Sequence, residues 1–387
     1  MLPGGHKRAA RGHPWIYSNE IKMDDAARAL EPGIMARFHS HDGTFIGTGS
    51  FNPRSLIAGR IFTRVRAESM DVPWFESRLK NALRLRESLF PEPFYRLVHA
   101  EADGLPGLIV DRFGPHLGVQ LNTAGMQRLW PEIEAALAAQ LKPETIILHN
   151  DSHVRTFEGL ERMVTFALGL IKEPVEIAEN GIVYFADIAG GQKTGWYFDQ
   201  RCNRALVARH AKGKRVLDLY CHSGGFGLLA AKEGAVEVVG VDSSEPALKL
   251  ARMAAERNGL TKRMTWHRED VFDELEKLAA AKEKFDIVIA DPPPFVKSRK
   301  DLAGGSRGYR KLARLAARMV SEGGLLFMAS CSHNMPLDAF IGETARGLHE
   351  AGRGGRILYT VFAAPDHPVH PQLPESGYLK GVMLKLD

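Results

Sequence analysis

The chain has 387 residues, 44% hydrophobic and 25% charged, the balance of a soluble globular protein long enough for two or three domains. No apolar run approaches membrane-spanning length, no apolar segment follows the basic start MLPGGHKRAARGHPW, and a cytoplasmic protein is expected. The net charge of +5 is uneven: residues 1–70 hold ten Lys and Arg against six Asp and Glu, and residues 297–318 hold eight against Asp301 alone, on an otherwise acidic body. Two basic zones point to a polyanion partner, the other reading being solvated charged faces.

Taken in chain order, IMARFHS, TFIGTGSF and LIAGRIFTR read as short strands separated by the turn dipeptides Asp42-Gly43 and Asn52-Pro53, which predicts a small β-barrel. Val72 to Arg86 has helical spacing, and a boundary is expected near residue 71. A mixed α/β unit follows, with strands at GLIVD and LGVQL, a helix over Gln127–Leu141 and a strand at TIILHN. VEIAE and IVYFAD flank Asn180-Gly181, a dipeptide that favours a tight hairpin because both positions accept positive φ. From Arg215 the apolar strands RVLDLY, VEVVGVD, MTWHRED, FDIVIAD, GLLFMASC and RILYTVF alternate with helical stretches, and YLKGVMLKL closes the chain. That alternation predicts a parallel, doubly wound sheet.

Ligands of such sheets sit beyond the carboxyl ends of the strands. The first strand ends in Asp218 and enters the turn CHSGGFG, where Gly224 and Gly225 allow close backbone approach. Tyr220 and Ser223 belong to the same turn. The second strand ends in Asp242, followed by Ser243, and a carboxylate there suits both hydroxyls of a ribose. The third ends in Asp270 and Val271, placed for an adenine amino group and ring, and the fourth ends in Asp291. Each acid alone reads equally as a helix cap, and Ser243 or Ser244 before Pro246 equally starts a helix. Four consecutive strand ends make a site. A nicotinamide enzyme is disfavoured because the GxGxxG spacing is absent, and an acid at the first strand suits a cationic, amino-acid-bearing nucleotide.

DLYCHSGGFG, VDSSEPAL, REDVF, DPPPF and SCS, with GGQKTGWYFDQR upstream, resemble the class I S-adenosylmethionine-dependent methyltransferases and, more narrowly, the large-subunit ribosomal RNA cytosine-C5 methyltransferase I family. The resemblance runs from RGHPWIYSNEI to PDHPV and ESGYLKG. It implies an α/β fold with a PUA-like RNA-binding barrel over residues 1–70, a central α/β domain over 71–175 and a Rossmann-like methyltransferase domain over 176–387. S-adenosylmethionine is the implied cofactor and large-subunit (23S) ribosomal RNA the implied partner; a homodimer is one option for the assembly. By the same resemblance Lys193, Thr194, Tyr197, Asp199 and Arg201 form a lid over the methionine part of the cofactor. In the plainer reading Asp199 caps the helix QRCNRALVARH, and Trp196 and Tyr197 are core aromatics.

Cys331, after the fifth strand, is either a small buried residue or a nucleophile. Cytosine C5 is a poor nucleophile until a thiolate adds to C6, and Asp291 next door suits the N3 and amino edge of that base. Position beside Asp291 favours the nucleophile. Cys202 reads as packing in an amphipathic helix and Cys221 as lining the cofactor turn. Pro294 stands where the family has lysine and where other RNA cytosine methyltransferases carry a second cysteine, and the group that removes the C5 proton is not identified.

DPP followed by an aromatic also resembles the motif by which amino-methylating enzymes hold a flipped purine, with Phe295 as the stacking face. A purine N-methyltransferase is therefore the alternative, and a non-catalytic RNA-binding module is disfavoured by the intact series of acids. Lys297, Arg299, Arg307 and Tyr309 border the reacting base in this reading, with Arg307 on phosphate and Tyr309 stacking on a neighbouring base. Arg310, Arg314 and Arg318 read as a solvated helix face. Lys7, Arg8, Arg11 and Arg54 form a more distant RNA anchor. His13, His333, Asp366 and His367 stand either beside the site or in surface and capping positions.

Overall fold

The computed structural model describes residues 1–190 and 195–387, which form two compact units. Unit 1 comprises Met1–Glu173, Asp187–Phe198 and Pro365–Pro374; unit 2 comprises Pro174–Ala186, Asp199–Ala364 and Glu375–Asp387. Among the described residues no helix is long and apolar enough to cross a membrane.

Unit 1 begins with α1 (Lys7–Ala10), β1 (Trp15–Ile16), α2 (Asp25–Arg28), β2 (Ile34–His39), β3 (Phe45–Phe51) and β4 (Gly59–Thr63). The strands pair antiparallel in the order β1-β4-β3-β2 around Ile16, Phe38, Ile46, Phe51 and Ile61. α3 (Val72–Leu89) starts where the Asp71 carboxylate accepts from Trp74 N–H, satisfying a donor that the helix itself cannot.

The next sheet holds β5 (Phe94–His99), β6 (Leu108–Phe113), β7 (His116–Leu121), β8 (Thr145–Asn150) and β9 (Met163–Leu168), in that order, with only β7 and β8 parallel. The single helix expected over Gln127–Leu141 is two, α4 (Ala124–Arg128) and α5 (Trp130–Leu141), because Pro131 supplies no N–H and so begins a helix better than it continues one. The outlying segment Pro365–Pro374 is bound through Asp366, whose carboxylate accepts from Arg96 N–H at 3.0 Å and whose carbonyl accepts from Arg86 at 2.9 Å.

Unit 2 opens with the hairpin β10 (Val175–Glu179) and β11 (Ile182–Ala186), turning at Asn180 (φ 53°) and Gly181 (φ 72°) as the dipeptide requires. After α6 (Arg201–Ala208) come β12 (Arg215–Leu219), α7 (Gly225–Lys232), β13 (Glu237–Asp242), α8 (Glu245–Arg257), β14 (Met264–Arg268), α9 (Val271–Ala280), β15 (Phe285–Ala290), α10 (Leu302–Met319), β16 (Val320–Ser330), α11 (Leu337–Glu350), β17 (Gly355–Phe362) and β18 (Lys380–Leu386). The seven strands order as β14-β13-β12-β15-β16-β18-β17. The sheet is not wholly parallel: β18 inserts antiparallel between β16 and β17. The order reverses between β12 and β15, the position where such sheets open a crevice.

Candidate active site

β12 ends in a tightly wound turn in which Tyr220 (φ 60°), His222 (φ 49°) and Gly224 (φ 82°) all adopt the left-handed conformation. Left-handed backbone at non-glycine residues costs free energy and persists where the surroundings fix it. Here Asp242, at the end of β13, accepts from His222 N–H through Oδ2 and from Ser244 N–H through Oδ1, both at 2.9 Å. Each of those carboxylate oxygens keeps a second lone pair. Ser223 is buried and its hydroxyl lies 3.1 Å from His222 Nδ1; Gly225, also buried, opens α7.

Asp218 is 1% exposed and accepts from Gly227 N–H at 2.8 Å. A Cβ on Gly227 would sit 3.1 Å from that oxygen, so glycine allows the approach. Burial, with the carboxylates of Asp291 and Asp242 adding to it, pushes the Asp218 carboxyl up to about 7. Three strand-end acids therefore repel one another electrostatically, an arrangement complementary to a cation. Burial raises the Tyr220 phenol too, with Asp270 and Asp242 contributing.

Asp270 caps α9 through Oδ1, which accepts from Phe272 N–H at 2.8 Å and Asp273 N–H at 3.4 Å, while Val271 is buried. Ser244 caps α8 and Ser243 is exposed. The capping readings of Asp270 and Ser244 thus hold alongside their position at the strand ends.

Cys331 follows β16, half-buried, with Sγ 4.0 Å from the Pro292 carbonyl next to Asp291. Its flanking serines explain the SCS spacing. Ser330 Oγ donates to the Tyr309 hydroxyl at 2.7 Å, that hydroxyl lies 2.9 Å from Ser332 Oγ, and Ser332 Oγ accepts from Val296 N–H at 3.2 Å. The nucleophile candidate is thereby tied to α10 and to the Asp-Pro-Pro loop.

Several sequence-based expectations change. Tyr309 does not stack on a nucleic-acid base: it is 0% exposed, with its ring against Phe295 (4.8 Å) and Phe340 (5.3 Å). Phe295 is half-buried between Tyr309 and Phe272. Arg201 is buried and bonded to Glu179, which also binds Arg204, fixing the hairpin to α6. Asp199 does not cap α6, whose first flanking residue is Gln200; its carboxylate accepts from the Tyr378 hydroxyl at 2.5 Å. Cys202 is exposed and Cys221 is buried, its thiol pushed well up by burial. Tyr197 is half-buried and lies in unit 1, and Lys193 and Thr194 lie outside the described residues.

A family model for S-adenosylmethionine-dependent methyltransferases matches residues 161–370, and one for PUA-like domains matches residues 1–64. The chain is 38% identical to ribosomal RNA large subunit methyltransferase I of Aeromonas hydrophila, over 100% of this chain and 98% of that one. It is 37% identical, with the same coverage, to the protein of that name from Pseudoalteromonas atlantica. This chain belongs to the ribosomal RNA large subunit methyltransferase I family. The fold is also that of SMU.776, a methyltransferase complexed with SAH, with a TM-score of 0.83 at 23% identity, covering 98% of this chain and 97% of that one.

The cofactor of this methyltransferase is S-adenosylmethionine. The residues fit such a cation: a buried carboxyl that gains by facing positive charge, a carboxylate at Asp242 with a lone pair left on each oxygen, and a glycine turn. Of the basic candidates, Lys297, Arg299 and Arg307 are exposed in unit 2, and Lys7, Arg11 and Arg54 are exposed in unit 1. Arg8 is engaged, 3.1 Å from Glu20 and over the Tyr17 ring. Arg310 and Arg314 are half-buried and pair with acids of α11 rather than facing solvent, and of the three arginines Arg318 alone is exposed as the solvated-face reading expects. His333 is exposed and its ring rests on Tyr378, whereas His13, Asp366 and His367 are buried in unit 1. Lys380 was not singled out from sequence. Its signal is a lysine in the mostly apolar strand YLKGVMLKL, a residue type seldom buried without a purpose.

Proposed function

We propose that this methyltransferase forms 5-methylcytosine in large-subunit ribosomal RNA, with Cys331 as nucleophile and Asp291 orienting the base. The observation that carries this reading is the placement of Cys331 Sγ 4.0 Å from the Pro292 carbonyl, at the end of the strand beside Asp291. The two curated relatives are named for ribosomal RNA of the large subunit, which supports the substrate.

Asp242 accepts the ribose hydroxyls, Asp270 and Val271 hold the adenine, and Asp218 with the turn from Tyr220 to Gly225 faces the methionine part, closed by Asp199. S-adenosylmethionine, when bound, supplies an electrophilic methyl group on a sulfonium. The Cys331 thiolate adds to cytosine C6, and the displaced electron pair makes C5 nucleophilic. C5 takes the methyl group; loss of the C5 proton then returns the electrons and expels the thiolate. Asp291, accepting from the exocyclic amino group, keeps the base edge aligned while the ring is saturated at C6.

Residues 1–70 serve as the RNA anchor through Lys7, Arg11 and Arg54, residues 71–175 as a central domain, and residues 176–387 as the catalytic domain. Lys297, Arg299 and Arg307 contact phosphates close to the reacting base. The purine N-methylation reading is weakened because Phe295, its stacking platform, already packs on Tyr309 at 4.8 Å. Nucleoside mass spectrometry of large-subunit RNA treated with the wild type and with Cys331→Ala tests the assignment. The expected result is 5-methylcytidine from the wild type alone; equal turnover by both removes the thiol mechanism, and a methylated purine establishes the alternative.

A further inference from the structure

We propose that Lys380 is the positioning residue for Cys331: its ammonium locks the turn that follows the sulfur and is the counter-ion of the Cys331 thiolate. This rests on the reading of Cys331 as the nucleophile.

Lys380 opens β18 and stands directly opposite Ser330 in the antiparallel pairing with β16, one residue from the cysteine. It is only 6% exposed, yet among the described residues no carboxylate lies within ion-pair distance of it. Nζ instead donates to the carbonyls of Ser332 at 2.7 Å and Met335 at 2.8 Å, both in the turn leaving Cys331. A buried ammonium without an anionic partner is costly, because carbonyl dipoles replace only part of its hydration. The missing anion is supplied when Cys331 ionises. Burial lowers the Lys380 pKa and Cys331 opposes that lowering, which places the two charges in each other's field.

The other groups toward the sulfur do not supply this cation. The Tyr309 hydroxyl, from α10, is a neutral donor whose own ionisation burial disfavours. The loop after β15 presents the Pro292 carbonyl and the Asp291 acid. His333, on the cysteine's own turn, is exposed, with its ring tilted against Tyr378 at 5.2 Å. The antiparallel insertion of β18 thus delivers a positive charge to the strand end that carries Cys331.

The test is the pH dependence of iodoacetamide alkylation of Cys331 in the full-length chain, read by peptide mass spectrometry so that Cys202 and Cys221 are counted separately. Lys380→Met should move the midpoint up by on the order of one pH unit and slow alkylation at pH 7 about tenfold, while Lys380→Arg restores most of both. An unmoved midpoint in folded Lys380→Met overturns the proposal. In the unmutated chain, capping Cys331 as a neutral methyl disulfide should lower the titration midpoint of Lys380, followed by NMR of labelled lysine; no change there also overturns it. These titrations need no methyl transfer. Full activity of Cys331→Ala would sink the nucleophile reading, whereas an inactive Cys331→Ala with an unmoved thiol midpoint would sink the lysine alone.

Discussion

The Tyr309 hydroxyl stands 2.9 Å from Ser332 Oγ and receives a hydrogen bond from Ser330, so one buried tyrosine holds both neighbours of Cys331. Tyr309→Phe removes that link and leaves two buried hydroxyls short of a partner. The expected cost is about 1–3 kcal/mol in urea denaturation. In steady-state kinetics kcat falls while KM for RNA stays near its wild-type value. A rise in KM alone would instead restore a role for Tyr309 in contacting RNA.

Asp218 sets a pH dependence whose sign follows from burial. Its folded pKa of about 7 lies above the ordinary value of 3.8, so its contribution to stability is fullest below about 3.8 and is lost as pH rises through about 7. Asp218→Asn keeps an acceptor for Gly227 but cannot ionise. The cofactor-free variant should gain on the order of 3 kcal/mol at pH 8 and nothing at pH 4, while losing S-adenosylmethionine binding in calorimetry. Equal stability of the two chains at pH 8 would contradict this.

Glu179 is the shared partner of Arg201 and Arg204, all three buried. Glu179→Ala leaves two guanidinium groups without their acid and is expected to lower stability by about 3–5 kcal/mol. Denaturant midpoints check this, and a loss below 1 kcal/mol would show that solvent replaces the acid.

RNA affinity separates free basic residues from engaged ones. Alanine at Lys297, Arg299 or Arg307, all exposed, should each reduce the slope of log affinity against log salt by about 1. Arg310→Ala should leave the slope unchanged, because that guanidinium already bonds Glu343 at 2.6 Å. Filter binding across salt concentrations distinguishes the two groups.

Local chemistry was legible in the sequence: Asn180-Gly181 turns a hairpin, Ser244 caps a helix, and the apolar runs from Arg215 onward are strands. Each depends on neighbours within a few residues. What was hidden depends on distant partners. The insertion of β18 between β16 and β17 has no local signature, nor does the pairing of Arg201 with Glu179 across the hairpin. Tyr309 stands between Gly308 and Arg310 in a basic stretch and read as a surface residue, but its position on the inner face of α10 buries it. At the site, the order of strand-end acids was readable. Their differing burial was not, since Asp218 is enclosed while Asp270 remains exposed as a cap.

The covalent step is tested most directly with large-subunit RNA carrying 5-fluorocytosine, whose C5 has no proton to lose, so that an adduct formed at C6 cannot be released. With S-adenosylmethionine present, the wild type should yield a stable protein–RNA complex whose RNA-linked peptide contains Cys331, and Cys331→Ser should yield none. A complex mapped to another residue, or none from a wild type that methylates ordinary RNA, would contradict the account.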